Sequence, residues 1–194
     1  RLQGLRTEIQ TGIDAARQND HRRRFDNMEG KRGDKVFNQE ERYTTAGMFL
    51  RTTFYPGPRW QLGAGGRMDR IMIEADDRLL TDGNNSGKRY LSGVSWMAAV
   101  LYHLSDDMHV FGNISTGFEA PALIELTTNP GGGAGLNPDL GPERALNMEI
   151  GLKGEWLDRL RFEGSLFNVR VSETLLPFEL PDTPGRTYYR NAGE

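Results

Sequence analysis

The chain has no cysteine among its 194 residues, which excludes a disulfide framework and any thiolate metal site. It has no long apolar run either: the longest, Trp96–Tyr102, falls far short of the roughly 18 residues that a membrane-spanning helix needs. Charge of neither sign dominates, because the formal net charge is −3, and this disfavours nucleic acid as a partner. These features are compatible with a soluble β protein. They are also compatible with a transmembrane β-barrel, because barrel strands contact lipid only with every second residue.

Histidine is scarce as well. Only His21, His103 and His109 occur, and none has a second histidine or a carboxylate at a convincing ligand spacing, so we expect no protein metal site and no cofactor. The glycine-rich stretch Gly131–Gly135 is not followed by Gly-Lys-Ser or Gly-Lys-Thr, so it predicts a flexible loop rather than a phosphate site.

The sequence is rich in strict two-residue alternation, which puts apolar side chains on one face of a strand and polar ones on the other. The clearest apolar series is Leu146, Met148, Ile150 and Leu152, followed after a polar turn at Gly154–Asp158 by Leu160, Phe162, Gly164 and Leu166. Repeated along the chain, this pattern predicts about eight strands. They cover about Leu5–Arg17, Arg42–Tyr55, Trp60–Asp69, Gly93–Leu104, Met108–Gly117, Leu146–Lys153, a strand through Leu160–Leu166, and one starting near Thr187.

The connections between these strands alternate between short and long. Tight turns are predicted at Pro56-Gly57-Pro58, Ser105-Asp106-Asp107 and Gly154–Asp158, and long polar loops at Gln18–Glu41, Asp76–Ser92, Phe118–Glu143 and Ser172–Arg186. A membrane barrel has short periplasmic turns and longer extracellular loops, which a soluble sandwich does not require. Aromatic residues beside the short turns fit an interfacial girdle, although ordinary strand propensity explains them equally well: Phe54, Tyr55, Trp60, Tyr102 and Trp156.

Three segments carry a more specific signal. Ser115-Thr116-Gly117-Phe118-Glu119-Ala120-Pro121 is followed by Asn137-Pro138-Asp139-Leu140-Gly141-Pro142-Glu143-Arg144 and then by a strand, and Tyr189-Arg190-Asn191-Ala192-Gly193 stands near the end. This succession resembles the barrel of TonB-dependent outer-membrane receptors, in which the first two elements flank one extracellular loop. The resemblance is best over residues 92–194, and the first half matches in architecture alone.

The resemblance implies an all-β fold, an antiparallel transmembrane β-barrel segment of about eight strands within a barrel of about 22. Residues 1–194 would be part of one barrel domain, with the plug domain and the TonB box outside this piece. The implied function is uptake of a scarce ligand across the bacterial outer membrane, driven through TonB, with a ferric siderophore as the expected ligand. The implied partners are that ligand, the TonB complex, the receptor's own plug and outer-membrane lipid.

Two groups of residues are candidates for the site. The motif residues would stiffen the loop base, because proline removes a donor and Asn or Asp shapes turns, and direct ligand contact is the alternative: Gly117, Phe118, Glu119, Ala120, Pro121, Asn137, Pro138, Asp139, Leu140, Pro142, Glu143 and Arg144. Glu143 and Arg144 could pair across the rim. Cations in the first two loops could attract an anionic chelate, unless they are ordinary solvated charges: Arg22, Arg23, Arg24, Lys31, Arg32, Lys35, Lys88 and Arg89.

Two other classes of protein compete with this interpretation. A soluble ligand-binding β-sandwich or small closed barrel would share the alternation, since eight strands can close on themselves. An outer-membrane barrel enzyme would need a nucleophile and a base at one depth, and Ser105, Asp106 and His109 lie in a turn without an oxyanion site. We therefore expect a receptor rather than an enzyme.

Overall fold

The computed structural model describes residues 6–131, 135–157 and 159–193, and it is built almost entirely of antiparallel strands. The strands are β1 (Arg6–Met28), β2 (Lys31–Gly57), β3 (Trp60–Asp77), β4 (Gly87–His103), β5 (Met108–Glu119), β6 (Glu143–Trp156), β7 (Leu160–Ser172), β8 (Thr174–Glu179) and β9 (Thr187–Ala192). A 3₁₀ turn at Leu80–Asp82 and one short helix, α1 (Leu123–Leu126), interrupt the loops. Within the described ranges, no helix is long and apolar enough to cross a membrane.

The first seven strands form one sheet in which each strand pairs with its neighbours in chain order, β1 to β7. Strands β8 and β9 form a separate two-stranded sheet. Such nearest-neighbour antiparallel order is that of a barrel wall, because every connection is a hairpin and none has to cross the sheet.

The two faces of the sheet differ in chemistry. One face, called here the apolar face, carries a row of apolar side chains aligned across four strands: Ile13, Met48, Met68 and Val94. Their exposed fractions are 83%, 57%, 60% and 63%, in that order. The neighbouring row, on what we call the polar face, consists of Asp14, Gly47, Asp69 and Gly93. Apolar side chains this exposed are not packed against a second protein layer, which contradicts the β-sandwich alternative.

The two ends of the sheet also differ, as the sequence predicts. At one end, short connections join β2 to β3, β4 to β5 and β6 to β7. At the other end, β3 joins β4 through residues 78–86, and β5 joins β6 through residues 120–142. The predicted asymmetry of short turns and long loops holds for these five connections, and the connection between β1 and β2 is the exception.

The predicted loop at Gln18–Glu41 is wrong. Strands β1 and β2 stay paired as far as Met28 and Lys31, and the chain reverses at Glu29 and Gly30, both of which have positive φ as a tight hairpin turn requires. The error has a physical cause. Backbone pairing does not need an apolar face, and a strand that is wet on both sides shows no alternation in its sequence.

Two smaller boundary predictions are also wrong. Strand β3 continues to Asp77 and β4 begins at Gly87, so the loop predicted at Asp76–Ser92 is shorter. The loop predicted at Ser172–Arg186 contains β8, which pairs with the predicted final strand β9 and raises the number of strands in the described ranges to nine. Three predicted features lie partly outside the described residues: Leu5, the stretch Gly131–Gly135 and the turn at Gly154–Asp158.

Candidate functional site at the long-loop end

Residues 120–142 are called here the inner loop, and its described parts, residues 120–131 and 135–142, fold back over the polar face of the sheet. Leu126, Leu136 and Leu140 of this loop are at most 8% exposed. They pack into one cluster with side chains of β3 and β4, namely Ile71, Ile73, Ala75 and Leu91. Burying a leucine side chain contributes about 1.5–3 kcal/mol, so this cluster is the main apolar attachment of the loop.

Arg89 of β4 supplies the polar attachment of the inner loop. Its guanidinium donates one hydrogen bond to the carbonyl oxygen of Asn137 and another, at 3.0 Å, to the carbonyl oxygen of Leu140. Asn137 is itself 1% exposed, and its backbone N–H donates to Leu126 at 2.6 Å while its side-chain oxygen accepts from the N–H of Asp139 at 3.0 Å. The buried polar groups of this turn are thus paired within the chain, as burial requires.

Asn191 of β9 ties the end of the inner loop to the second sheet. Its side-chain oxygen accepts a hydrogen bond from the N–H of Gly141 at 2.7 Å, and its amide nitrogen donates to the carbonyls of Gly141 at 3.0 Å and Glu173 at 2.7 Å. Glu143 adds a contact nearby, because its carboxylate accepts from the backbone N–H of Leu175. The second and third sequence motifs therefore meet in space.

Phe118 occupies a gap between β4 and β5. The two strands are paired from His103, opposite His109, up to Met97, opposite Ser115. Beyond that pair, the Thr116 hydroxyl accepts a hydrogen bond from the backbone N–H of Trp96 at 3.1 Å. The Phe118 ring lies so close to Gly93 that a Cβ atom on residue 93 would be 2.2 Å from it. Glycine is required there because any side chain would displace the ring, and Phe118 in turn contacts the buried cluster.

The remaining motif residues line the same loop base. Pro121 is fully buried, Pro138 and Asp139 are exposed, and Glu119 ends β5 opposite Glu143. Gly117, Ala120 and Pro142 are half-buried. Glu143 and Arg144 form no ion pair with each other in the described part of the chain, where Glu143 is engaged by Leu175 instead.

The first group of predicted cations lies on the extension of β1 and β2. Pairing of β2 with β3 starts only at Gln39, so residues 22–38 form a two-stranded projection, called here the ribbon. Arg22 pairs with the nearly buried Glu41 at 2.8 Å, and both Arg22 and Arg24 lie 5.5 Å from the Phe37 ring. The pairing register puts Arg22, Arg24 and Phe37 on the polar-face side of the ribbon and Arg23 on the opposite side. The other three cations lie further out. Lys31 is at the tip, the Arg32 guanidinium lies 3.4 Å from the centre of the Phe25 ring, and Lys35 is opposite Phe25 in the strand pairing.

The second pair of predicted cations is divided between the two faces. Lys88 lies on the apolar-face side, 3.8 Å from a Glu74 carboxylate oxygen. Arg89 points to the other side, where its donors are engaged by the two inner-loop carbonyls. Sequence reasoning grouped Arg89 with the ligand-attracting cations and missed its contact with the loop, for which the sequence offers no local signal.

A charged network joins three strands on the polar face lower in the sheet. Arg67 of β3 contacts Asp14 of β1 at 2.7 Å and Asp69 of its own strand. Gly47 of β2 lies between them, and a Cβ atom there would be 2.3 Å from the Arg67 guanidinium. Within the described ranges, no group of three His, Cys, Asp or Glu side chains is arranged to hold a metal ion.

The sheet, the loop asymmetry and the inward-folded loop together define a segment of an outer-membrane receptor barrel. Residues 2–194 match the family model described as "TonB dependent receptor-like, beta-barrel". The chain therefore belongs to the TonB-dependent receptor family, its apolar face is the lipid-facing side of an outer-membrane β-barrel, and its long loops are extracellular.

Curated relatives match parts of the chain. It is 36% identical over 74 residues to the vitamin B12 transporter BtuB of Photobacterium profundum. The matched region covers 38% of this chain and 11% of that protein. It is 29% identical over 136 residues to the iron-regulated outer membrane virulence protein of Vibrio cholerae (serotype O1, strain O395), covering 66% of this chain and 18% of that protein. The chain thus spans less than a fifth of the length of these relatives.

Solved structures agree with the fold. The copper transporter OprC matches with a TM-score of 0.74 and 20% identity, over 95% of this chain and 30% of that one. The unliganded ferric citrate transporter FecA matches with a TM-score of 0.70 and 16% identity, over 87% of this chain and 25% of that one. At these identities the likeness establishes the fold, and three of the four named proteins are described as transporters.

Proposed function

We propose that residues 1–194 form part of the single barrel domain of a receptor that captures a scarce ligand outside the cell and imports it through TonB. The expected ligand is a ferric siderophore. The plug of the same receptor would contact the polar face, where the Arg67 network supplies charged groups that need partners in a closed lumen. A receptor of this class binds and releases its ligand unchanged, so we propose no catalytic residues.

The observation that carries the choice of ligand is the ribbon. Arg22, Arg24 and Phe37 share its polar-face side, which continues the lumen wall above the other strands. Cations clustered in a mouth raise the capture rate of anions, and an aromatic ring between them offers a surface for a flat organic group. A negatively charged ferric chelate has both properties, and its iron arrives already coordinated, so no protein metal ligand is required.

Two named relatives offer different ligands, vitamin B12 and copper, and a test has to separate them. The full-length receptor is expressed in a strain that lacks its own high-affinity uptake, under iron limitation. Radiolabelled iron is supplied as individual ferric siderophores, with cobalamin and copper uptake measured in parallel. We expect uptake of at least one ferric siderophore, abolished by a proton uncoupler and by loss of TonB.

The ribbon is tested with matched charge variants. We expect Arg22→Gln combined with Arg24→Gln to slow siderophore capture at limiting concentration, because the attracting charge is lost from the lumen side. Arg23→Gln is the control, since it removes a charge of the same kind from the opposite side of the same strand. TonB-dependent import of cobalamin or copper without any ferric siderophore would refute the proposed ligand.

A further inference from the structure

Two histidines, His103 and His109, face each other across β4 and β5 beside the short turn that joins these strands. They are directly opposite in the strand pairing, and their ring centres are 4.5 Å apart with the ring planes at 80°. His103 follows Gly93 by ten residues on β4, so the alternation of side chains places both histidines on the polar face. Since short turns are periplasmic in this family, the pair lies at the periplasmic end of the lumen wall.

The backbone hydrogen bonds bring these two side chains as close as an antiparallel pair allows. The N–H of His103 donates to the carbonyl of Arg59, on the β3 side, at 2.9 Å, whereas the N–H of Leu104 donates to Met108, on the β5 side, at 2.9 Å. His103 and His109 are therefore a non-hydrogen-bonded pair, in which the Cα atoms are about 4.5 Å apart and the side chains are closest. Strands β3 and β6 flank β4 and β5, so the pair does not lie at an edge of the sheet.

The separation of the two rings suits one shared metal ion. With metal–nitrogen bonds of about 2.0–2.1 Å, two imidazoles on neighbouring coordination positions have ring centres about 4.5–5 Å apart. Rotation about the Cβ–Cγ bonds, for which histidine has a broad torsional preference, would direct one nitrogen of each ring at the ion. In the described part of the chain, the Nδ1 atom of His109 is shielded from solvent and makes no hydrogen bond. Buried polar atoms normally have a partner, and a bound ion would supply one.

The charges around the pair are of both signs. Lys153 of β6 lies opposite the second histidine, but its ammonium group is directed at the Phe111 ring, 5.7 Å from the ring centre. Arg59 is a second cation nearby, and the turn between β4 and β5 carries the exposed carboxylates of Asp106 and Asp107. Within the described ranges, no third His, Cys, Asp or Glu side chain completes the ligand set, so water would fill the remaining positions.

We propose that His103 and His109 chelate a divalent transition-metal ion, with Cu²⁺ bound most tightly. Imidazole ligands suit Cu²⁺, Ni²⁺ and Zn²⁺, and the affinity of a nitrogen site peaks at Cu²⁺, whereas Mg²⁺ and Ca²⁺ prefer oxygen ligands. An ion shared by two strands binds only the folded hairpin and therefore stabilises it. The spacing of six residues does not reveal this site in the sequence, because only the strand pairing makes the two histidines neighbours. The proposal is independent of the imported ligand.

The test uses the full-length receptor, purified in detergent without a polyhistidine tag and stripped of metal with a chelator. Isothermal titration with Cu²⁺ measures affinity and stoichiometry, and electron paramagnetic resonance of the bound ion counts its nitrogen ligands. We expect one ion with two nitrogen ligands in the unchanged receptor, a result that needs no variant. Excess Mg²⁺ should not displace this ion.

Variants then locate the site. His103→Phe and His109→Phe each keep a ring in place but remove its nitrogens. Each should weaken Cu²⁺ binding at least tenfold, and the double variant should bind no more weakly than the single variants, because a chelate is lost with its first ligand. The control is His21→Phe, which removes the third histidine of the chain, at the long-loop end and 2.8 Å from Asn38, and should leave Cu²⁺ binding unchanged.

Heat-modifiable migration on a gel confirms that each variant is folded. A bound ion with a single nitrogen ligand, or undiminished Cu²⁺ binding in either single variant, would overturn the proposal. So would losses that multiply in the double variant, since these indicate two independent ligands, or a loss of equal size in His21→Phe.

Discussion

Replacing Arg89 with methionine tests whether the inner loop is held down by this one side chain. Methionine keeps an unbranched apolar stem but has no donor, so the carbonyls of Asn137 and Leu140 lose their partner. A hydrogen bond to a charged group contributes about 1.5–3 kcal/mol, which gives about 3–6 kcal/mol for the two bonds. Arg89 is half-buried and water can replace part of this, so we expect the lower end, about 3 kcal/mol.

The assay follows opening of the loop rather than unfolding of the barrel. The N–H of Asn137 donates to Leu126 inside the loop and exchanges with solvent only when the loop opens. A loss of about 3 kcal/mol corresponds to roughly 100-fold faster exchange, because each 1.4 kcal/mol is a factor of ten. Hydrogen exchange of peptides from residues 126–142 of the full-length receptor measures this factor.

The control is Lys88→Met, which alters the neighbouring residue on the opposite side of β4. We expect exchange in the loop to stay within about threefold of that in the unchanged receptor. Unaltered exchange in Arg89→Met would show that the apolar cluster alone holds the loop. Equal acceleration in both variants would show that β4 itself is destabilised, and either result refutes the reasoning.

Two further predictions concern the other attachments of the loop base. Asn191→Ala leaves the N–H and the carbonyl of Gly141 without the Asn191 side chain as partner, which should reduce the stability of the loop base by about 1–3 kcal/mol. The loop should then be cut faster in limited proteolysis. The control is Asn168→Ala, at an exposed position of β7, which should leave the cleavage rate unchanged. Gly93→Ala places a Cβ atom 2.2 Å from the Phe118 ring and should cost about 1–3 kcal/mol, seen as a lower temperature of heat modification on a gel. Adding Phe118→Ala should recover part of that loss, and failure to recover any would show that the ring is not the obstacle.

The membrane part of the fold could be predicted from the sequence because lipid and lumen impose opposite chemistry on alternate residues. Ile13 and Asp14 are neighbours in the chain, yet one lies on the apolar face and the other on the polar face. The ribbon could not be predicted in the same way, since water surrounds both of its sides and the alternation disappears between Gln18 and Glu41. Its pairing depends on backbone hydrogen bonds, which every sequence offers.

The candidate site could be predicted in part. The order of the motifs indicated one loop base, and the structure brings Asn137, Gly141 and Asn191 to that base. Their bonds could not be predicted, because Gly141 and Asn191 are 50 residues apart in the sequence and Asn191 belongs to the separate sheet of β8 and β9. Arg89 is a similar case: as one of two adjacent cations it resembles a solvated charge, and only the folded loop supplies its acceptors.

The bonding of the motif residues also limits what they can contribute to ligand choice. Asn137, Glu143 and Asn191 direct their side chains at backbone groups of the same chain, and such contacts are insensitive to the ligand. Side chains whose polar groups are engaged in this way set the position of the loop rather than its selectivity. We therefore expect selectivity to depend on groups without a backbone partner, among which Arg24 and Phe37 of the ribbon lie on the lumen side. Exchanging the ribbon between two receptors of this family should accordingly change the preferred ligand, while exchanging the motif residues should change only stability.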